Sequence, residues 1–180
     1  MSSKPEFDIT KLSSPVILKK EHDNLHFSCS EIEIDEFIHT EALDFQERLL
    51  GVTYLFYFGS NLAGFVTLCM GHINKEKMAS EDRLQKQIGN YPSSYPALLI
   101  GQLGVAQMYQ RYGVGRYICD FSFDRAIKFS QRVGCRFLVV NAVESAVGFY
   151  TNYGFVLAPK QEKQKQKLMF LDITKRKSDF

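Results

Sequence analysis

The sequence predicts an α/β fold, with a central mixed sheet flanked by helices, in a single domain over residues 1–180. Two observations predict this class. Segments rich in β-branched and aromatic residues first occur as a pair separated by a tight turn, which favours an antiparallel hairpin. Later segments of the same kind alternate with helical patterns, which favours a mixed sheet covered by helices.

The first half begins with residues 1–15, which we expect to be a flexible lead-in, and with a short strand at residues 16–18. Ser30 and Glu33 then have the spacing of a capping box, in which two side chains satisfy free amides at a helix start. The helix predicted there has one apolar face and is expected to stop at Gly51. The apolar face comprises Ile34, Phe37, Ile38, Ala42 and Phe45.

The hairpin consists of Val52–Phe58 and Phe65–Cys69, and the run Gly59-Ser60-Asn61 between them supplies a glycine for positive φ. The polar segment that follows includes a short helical candidate from about Met78 to Ile88. We expect it to end before Pro92, because proline disfavours helix in the residue that precedes it.

The second half opens with an apolar strand from Ala97 to Ala106, and its glycines at 101 and 104 indicate a bulge or a close backbone approach. A long helix is then expected to reach about Val133, with Gly134 in the left-handed position after its end. The remaining predicted elements are a strand at 137–141, a helix from the cap Ser145 to Asn152 with Gly154 as its stop, and strands at 155–158 and 168–173.

The composition is that of a globular chain, with 45% hydrophobic and 13% aromatic residues. The formal net charge of +2 neither requires nor excludes a nucleic-acid partner. No apolar stretch approaches the ~18 residues that cross a bilayer, and no apolar signal core follows the N-terminus. We therefore expect a cytoplasmic protein without a membrane partner. The four cysteines include no Cys-x-x-Cys pair and are expected to be buried free thiols.

A glycine pair lies where the apolar strand gives way to the long helix. The first turn of a helix leaves amide groups without intrahelical partners, and the helix dipole attracts anions there. Gly113 and Gly115 have no side chain to keep a pyrophosphate from these amides, and Arg111 and Arg116 add positive charge. A tight turn without a ligand explains the glycines equally well. A Walker loop is excluded because no Lys-Ser or Lys-Thr follows, and a dinucleotide fingerprint because Ile118 replaces its third glycine.

Together with its neighbours, this run resembles the GCN5-related N-acetyltransferases, the GNAT superfamily. The acetyl-CoA signature of that family is Q/R-x-x-G-x-G/A at a helix start, and the chain reads Gln110-Arg111-Tyr112-Gly113-Val114-Gly115. Upstream, Leu103-Gly104-Val105 matches the bulged strand that pairs with the pantetheine arm. Downstream, Asn141 ends the next strand, and residues 149–155 match the aromatic-Tyr-x-x-x-Gly-Phe run. The elements keep the family's order and spacing over most of the chain.

The resemblance implies an acetyl-CoA-dependent N-acetyltransferase. It implies the GNAT fold, a largely antiparallel, twisted mixed sheet of about six or seven strands that is split between the fourth and fifth strands. Tyr150 takes the position of the general acid, and a phenol with an ordinary pKa of about 10 is suited to protonate a departing thiolate. The residues implied to hold the cofactor are Leu103, Gly104, Val105, Gln110, Arg111, Tyr112, Gly113, Val114, Gly115, Arg116, Asn141 and Phe149.

No residue stands out as a general base. Glu144 and Glu36 are candidates, and each is also explained as a solvated surface carboxylate. An α-amine, with an ordinary pKa of about 7.7–8.0, is partly neutral at physiological pH and requires no base. His22 and His26 have a metal-ligand spacing but no third ligand nearby, so no metal site is predicted.

A narrower resemblance is to the branch that contains the acetyltransferase toxins of bacterial toxin–antitoxin pairs, which acetylate the α-amine of aminoacyl-tRNA. It rests on Phe27-x-Cys29-Ser30, on Ala63-Gly64-Phe65 and on residues 98–105. Ser30 replaces the usual glycine of that branch, and Gln102 replaces its common arginine. The implied partners are aminoacyl-tRNA and a cognate antitoxin, and a homodimer stays open.

Basic residues are concentrated near the C-terminus. Lys160, Lys163, Lys165 and Lys167 fall within eight residues, and Lys175-Arg176-Lys177 follows the last predicted strand. These residues form either a solvated loop or a surface that contacts the phosphate backbone of a nucleic acid. A phosphate-contacting surface predicts a steep salt dependence of activity.

Two other classes of acceptor stay open, a small-molecule amine such as a polyamine and a protein amine. A polyamine requires an acidic cleft, and the acidic residues of the first helix form either such a cleft or a solvated face. They are Glu31, Glu33, Asp35, Glu36 and Glu41. A non-catalytic acyl-CoA-binding module is disfavoured because Tyr150 and both glycines are present.

Overall fold

The structure, a computed structural model, describes residues 7–22, 26–80, 83 and 93–175. The described strands are β1 (Val16–Ile17), β2 (Val52–Phe58), β3 (Asn61–Asn74), β4 (Ser94–Val105), β5 (Phe137–Val143), β6 (Val156–Leu157) and β7 (Gln166–Asp172). The described α-helices are α1 (Ile32–Glu36), α2 (Ala42–Glu47), α3 (Val114–Ser130) and α4 (Glu144–Tyr153). The strands form one sheet in the order β1-β2-β3-β4-β5-β7-β6, with both parallel and antiparallel pairs. The predicted mixed sheet flanked by helices is confirmed.

The described part of the chain divides into two compact units. The first comprises the residues up to Leu68 together with Gly101–Asp120, and the second comprises Cys69–Ile100 together with the residues from Phe121 onward. The helix start with the glycine pair belongs to the first unit, and Tyr150 belongs to the second. None of the helices among the described residues has the length and apolar character needed to span a membrane.

The first unit contains the predicted hairpin. β2 and β3 pair antiparallel, with Phe58 opposite Asn61, so that Gly59 and Ser60 form the turn. Gly59 has a φ of +61°, which is the left-handed conformation that such a turn requires. Side chains of both strands form a core without exposed surface, and they are Leu55, Phe56, Phe65 and Val66.

The first helix lies where the sequence predicts it, but it begins differently. Glu31 is the N-cap residue, and no side chain forms a capping hydrogen bond there. Ser30 precedes it with a φ of +75°. The capping box predicted from Ser30 and Glu33 is therefore wrong, because a left-handed Ser30 turns the chain before the helix begins. The predicted apolar face is confirmed, since Phe37, Ile38 and Ala42 are buried.

The interior and the end of this helix also depart from the prediction. A π turn at Phe37–Glu41 joins α1 to α2, and nothing in the apolar spacing indicated it. The stop at Gly51 is wrong, because α2 already ends at Glu47. Leu49, with a φ of +59°, takes the left-handed position instead of a glycine.

The described part of the lead-in packs against the hairpin. Leu12 is buried and forms an isolated β-bridge with Phe58. The Ser13 amide donates to the Tyr57 carbonyl at 2.7 Å, and the Tyr57 amide donates to the Ser13 hydroxyl at 2.9 Å. Residues 12 and 13 therefore extend the edge of β2.

The second unit contains the parallel pair of the sheet. β4 and β5 pair from Ala97 opposite Phe137 to Ile100 opposite Val140, although both strands continue beyond this ladder. This short ladder agrees with the split predicted between the fourth and fifth strands. β7 pairs antiparallel with β5 along its length and with the short β6. The core of the unit includes Ile73, Met78, Tyr95, Phe137, Val139 and Phe170.

The remaining helix predictions have mixed outcomes. Gly154 ends α4 with a φ of +119°, so this predicted stop is confirmed. Gly134 is left-handed as predicted, with a φ of +69°, but α3 ends at Ser130 and not at about Val133. Ser145 is not a cap, because α4 begins one residue earlier after Val143, without a side-chain cap. The helix predicted from Met78 to Ile88 lies largely outside the described residues. The four cysteines are free and buried, as predicted.

Candidate functional site

The start of α3 has the geometry of an anion-binding helix terminus. β4 ends at Val105, and the chain passes through a 3₁₀ turn before α3 begins at Val114. The Gly113 carbonyl accepts a hydrogen bond from the Tyr117 amide at 3.0 Å, which marks the helix start. The amides of Val114 and Gly115 come before this bond and have no intrahelical acceptor. With 17 residues, α3 is long enough to direct its positive dipole end at this point.

The conformation of Gly113 fits a pyrophosphate at this helix start. Its φ is +90°, which favours glycine over residues with a side chain. A Cβ atom built on Gly113 meets no other atom within 4 Å, so the space beside Gly113 is open. Arg111, with a φ of +67°, is exposed next to it, as are Tyr112 and Arg116. The residues present therefore fit the pyrophosphate of acetyl-CoA, which backbone amides and the two arginines would hold.

Gln110, the first residue of the signature, uses its side chain within the protein. Its Nε2 donates to the Cys29 carbonyl at 2.9 Å and to the Val105 carbonyl at 3.1 Å. Both hydrogens of the carboxamide are therefore engaged, and Gln110 shapes the loop that precedes the helix.

The end of β4 requires a glycine for packing. Gly104 is buried, and a Cβ atom there would lie 2.8 Å from Cε1 of Phe65 and 2.9 Å from Cζ of Phe27. The sequence predicted a bulge or a close backbone approach at Gly104, whereas the close contacts found there are with two aromatic side chains. Leu103 and Val105, the neighbours predicted to line the cofactor, are half-buried.

An aromatic cluster supports the same loop from the N-terminal segment. The Phe7 ring lies 4.7 Å from the ring of Phe58 and 5.4 Å from those of Tyr109 and Tyr112, measured between centroids. No sequence pattern indicated this contact, because residue 7 falls in the predicted flexible lead-in.

Asp35, which the sequence indicated only as one of five acidic residues of the first helix, has a structural role that sequence reasoning missed. Its carboxylate accepts hydrogen bonds from the Cys29 amide at 2.8 Å and from the Ser28 hydroxyl at 2.7 Å. Partial burial raises the pKa of Asp35, but these two hydrogen bonds outweigh it and hold the pKa below its ordinary value. Burial raises the pKa of the Cys29 thiol to about 12, so this cysteine is no thiolate nucleophile at neutral pH.

In the second unit, Tyr150 lies on α4 with 5% of its surface exposed. Its ring packs edge-on against Phe149 and Phe155, at centroid distances of 5.0 and 5.3 Å. The Tyr150 carbonyl accepts hydrogen bonds from the amides of Gly154 and Phe155, which end the helix. The predicted aromatic-Tyr-x-x-x-Gly-Phe run therefore fixes the tyrosine at a helix terminus by packing and by backbone bonds.

The other predicted site residues are more exposed. Asn141 is exposed on β5, and Phe149 retains 37% of its surface. Of the two candidate bases, Glu36 is exposed at the end of α1, and Glu144 is exposed and lies 3.6 Å from the Lys167 ammonium. Both glutamates are therefore surface carboxylates, which is the alternative explanation that the sequence allowed.

The segment of residues 159–167, which we call the basic loop and which includes the first two residues of β7, is organised by two of its side chains. Gln161 is buried, and its Nε2 donates to the carbonyls of Ala158 at 2.7 Å and Leu168 at 2.9 Å. Its Oε1 accepts from the Leu168 amide at 2.7 Å. The Lys167 ammonium donates to the carbonyls of Gln161 at 2.8 Å and Gln164 at 2.9 Å.

These hydrogen bonds show that the four predicted lysines do not share one role. Lys167 stabilises the loop from within, so only 12% of its side chain is exposed. Lys160, Lys163 and Lys165 are exposed and present their charge outward. Lys175 is exposed after β7, and the next two basic residues of the sequence lie outside the described residues.

A groove of about 300 Å³ lies beside the first helix, in the first unit. Its lining includes Lys19, Lys20 and His22 as well as Asp44 and Glu47. None of the five acidic residues proposed for a polyamine cleft lines it. The mixed charge of the groove does not match a polycation.

A protein-family model described as an acetyltransferase (GNAT) domain matches residues 77–177 of the sequence. These residues make up more than half of the chain. A search of curated proteins found no match.

The fold is similar to solved structures that include bacterial toxins. A structure described as a bacterial toxin has a TM-score of 0.74 and 22% identity, over 90% of this chain and 93% of that chain. A tyrosine-to-phenylalanine variant of KacT has a TM-score of 0.79 and 20% identity, over 92% and 96%. AtaT complexed with acetyl-methionyl-tRNAfMet has a TM-score of 0.77 and 20% identity, over 91% and 96%. At these identities the similarity establishes the fold.

Proposed function

The chain belongs to the GNAT acetyltransferase family, and we propose that it transfers the acetyl group of acetyl-CoA directly to the α-amine of aminoacyl-tRNA. Acetyl-CoA is the donor that this family uses. The acceptor and the roles of individual residues are the proposal.

The observation that carries the donor site is the start of α3. Gly113 turns the chain in a left-handed conformation with open space beside it, and the amides of Val114 and Gly115 follow at the positive end of a long helix. Arg111 and Arg116 add the positive charge that a pyrophosphate requires.

The chemistry is acyl transfer from a thioester to a neutral amine. The amine nitrogen forms a bond to the carbonyl carbon, the carbon–sulfur bond breaks, and the sulfur takes a proton. We assign this proton to the phenol of Tyr150, which regains it from the nitrogen of the new amide through solvent. Backbone amides near Leu103–Val105 are proposed to stabilise the developing oxyanion, and one such donor contributes about 3 kcal/mol.

Replacement of Tyr150 tests the assignment of the acid. We expect Tyr150→Phe to lower turnover at least about tenfold, because one hydroxyl proton is removed while the ring packing stays. Calorimetry is expected to give the same acetyl-CoA affinity within about twofold. Tyr153→Phe, which removes a hydroxyl from a buried tyrosine on the same helix, serves as the control. Turnover by Tyr150→Phe that equals the wild-type value would remove Tyr150 from the mechanism.

The basic loop supports a nucleic-acid acceptor. Lys160, Lys163 and Lys165 are exposed on a loop that Gln161 and Lys167 hold from within. Since an RNA acceptor presents phosphates along its backbone, such a loop contributes electrostatic affinity without reading sequence. AtaT, which shares the fold, has been solved with acetyl-methionyl-tRNAfMet, the product of such a transfer.

The acceptor is tested by incubating the protein with labelled acetyl-CoA and either charged tRNA or spermidine. We expect label on the α-amine of aminoacyl-tRNA and a steep fall of the rate with salt. The double variant Lys160→Gln, Lys163→Gln is expected to flatten this salt dependence. Acetylation of spermidine but not of aminoacyl-tRNA would contradict the proposed acceptor.

A cognate antitoxin is proposed as a partner. AtaT has been solved bound to the C-terminus of the antitoxin AtaR. We place the protein in the cytoplasm, the compartment that supplies both acetyl-CoA and charged tRNA. Growth arrest on expression, relieved by the product of a neighbouring gene, is the expected result. Normal growth under strong expression of active enzyme would contradict a toxin role.

A further inference from the structure

We propose that Gln110 is a positioning residue that couples two segments, residues 106–113, which we call the acetyl-CoA loop, and the first helix, residues 32–47. Acetyl-CoA binding at the loop then also orders that helix. The proposal rests on the proposed function, because acetyl-CoA is the ligand involved. The connection runs through residues 27–30, which we call the strap, and all of its contacts lie within the first unit.

On one side, the loop before α3 holds the strap by two hydrogen bonds. The Gln107 amide donates to the Ser28 carbonyl at 2.9 Å, and Nε2 of Gln110 donates to the Cys29 carbonyl at 2.9 Å. The second hydrogen of the Gln110 carboxamide goes to the Val105 carbonyl at 3.1 Å, at the end of β4. Gln110 therefore joins the strap, the strand end and the acetyl-CoA loop at one point.

On the other side, the first helix holds the same strap. The Asp35 carboxylate accepts from the Cys29 amide and from the Ser28 hydroxyl, at 2.8 and 2.7 Å. Nε2 of His39, in the π turn, lies 2.9 Å from the Phe27 carbonyl and must carry the hydrogen, since a carbonyl only accepts. Three successive strap carbonyls are thus satisfied, two by the loop and one by the helix.

The strap is neither helix nor strand, so the order of its backbone depends on these hydrogen bonds and on the burial of Phe27 and Cys29. A pyrophosphate on the amides of Val114 and Gly115 restricts residues 110–113 of the acetyl-CoA loop, which lead directly into the helix. Because the Gln110 carboxamide passes this restriction to Cys29, the strap and the start of α1 lose freedom as well. Loss of that carboxamide leaves the helix amides in place and removes the link.

Hydrogen exchange of the strap and of α1, with and without acetyl-CoA, tests the coupling. The variant is Gln110→Met, and the matched control is Gln107→Met, since Gln107 is exposed and its link to Ser28 uses only its backbone amide. Gln110→Arg is the rescue variant, because a guanidinium also donates to two carbonyls and the family signature allows arginine at this position. Thermal melts establish that each variant is folded.

We expect saturating acetyl-CoA to slow exchange in residues 26–36 about tenfold in the wild type, in Gln107→Met and in Gln110→Arg, and by less than about twofold in Gln110→Met. Calorimetry gives the acetyl-CoA affinity of each variant, so that exchange is compared at full occupancy in all of them. Equal strap protection in Gln110→Met and wild type would overturn the coupling alone. A wild-type chain that binds no acetyl-CoA would overturn the proposed function, which the calorimetry reports separately.

Discussion

A glutamine organises each of the two loops that we assign to the two substrates, and the two glutamines differ in how far their bonds reach. Gln110 bonds Val105 within its own loop and Cys29 across 81 residues of chain. The Gln161 carboxamide bonds Ala158 and Leu168, at most seven residues away. The Gln110 carboxamide therefore ties the acetyl-CoA loop to a distant segment, whereas the Gln161 carboxamide joins neighbouring residues.

The two glutamines also differ in burial. Gln161 is 7% exposed and satisfies three backbone groups, while Gln110 is exposed and satisfies two carbonyls. A buried amide that loses its partners costs stability, and an exposed one is replaced by water. Gln161 therefore contributes mainly to the stability of the fold, whereas Gln110 mainly positions the strap against the acetyl-CoA loop.

The largest expected effect is the loss of stability on replacing Gln161. We expect Gln161→Met to lower the free energy of unfolding by about 3 kcal/mol, because two carbonyls and one amide lose a buried partner. Gln110→Met is expected to lower it by about 1 kcal/mol, since Gln110 is exposed and its bond to Val105 is open to water, although its bond to Cys29 is partly buried. Urea denaturation measures both, with Gln164→Met as an exposed control. Equal losses for Gln161→Met and Gln110→Met would contradict this division of roles.

A smaller effect separates the lysines of the basic loop. Lys167→Met is expected to lower the free energy of unfolding by about 1–2 kcal/mol, because the carbonyls of Gln161 and Gln164 lose their donor. Lys163→Met, at an exposed position, is expected to change it by less than about 0.5 kcal/mol. Thermal melts with matched salt distinguish them. Equal destabilisation by Lys163→Met and Lys167→Met would contradict the assignment of the internal hydrogen bonds to Lys167 alone among these two lysines.

The sequence predicted the elements whose signal is local. Apolar spacing located the hairpin and the helices, and the glycines at 59, 134 and 154 marked left-handed turns because few other residues adopt them at low cost. The family signature located the start of α3 for the same reason, since Gly113 serves through its backbone conformation. Such features depend on the residue itself and on its immediate neighbours.

The sequence failed where a bond joins distant residues. Ser30 and Glu33 have a capping spacing, yet the helix start is organised by Asp35, which accepts from residues 28 and 29. Likewise, the sequence shows four lysines within eight residues but not which of them turns inward. The carbonyls that accept from Lys167 come into place only when the loop folds. Side-chain partners of this kind follow from tertiary structure.

The smallest expected effect concerns Ser30, where the toxin-containing branch has glycine. A side chain at φ +75° costs about 1 kcal/mol relative to glycine, and the greater freedom of glycine in the unfolded chain offsets part of this. Ser30→Gly is therefore expected to raise the free energy of unfolding by up to about 1 kcal/mol in urea denaturation. Ser28→Gly, which removes the hydroxyl bond to Asp35, is expected to lower it. Destabilisation by Ser30→Gly would contradict the left-handed conformation at the end of the strap.

Titration of acetyl-CoA into the wild type and into Gly113→Val by calorimetry tests whether the start of α3 is the donor site. A valine at φ +90° is strained and fills the open space beside residue 113, so we expect its affinity to fall at least about tenfold. The wild type is expected to bind with a Kd of about 1–100 μM. Equal affinities, or no binding by the wild type at about 1 mM acetyl-CoA, would contradict a donor site built on the start of α3.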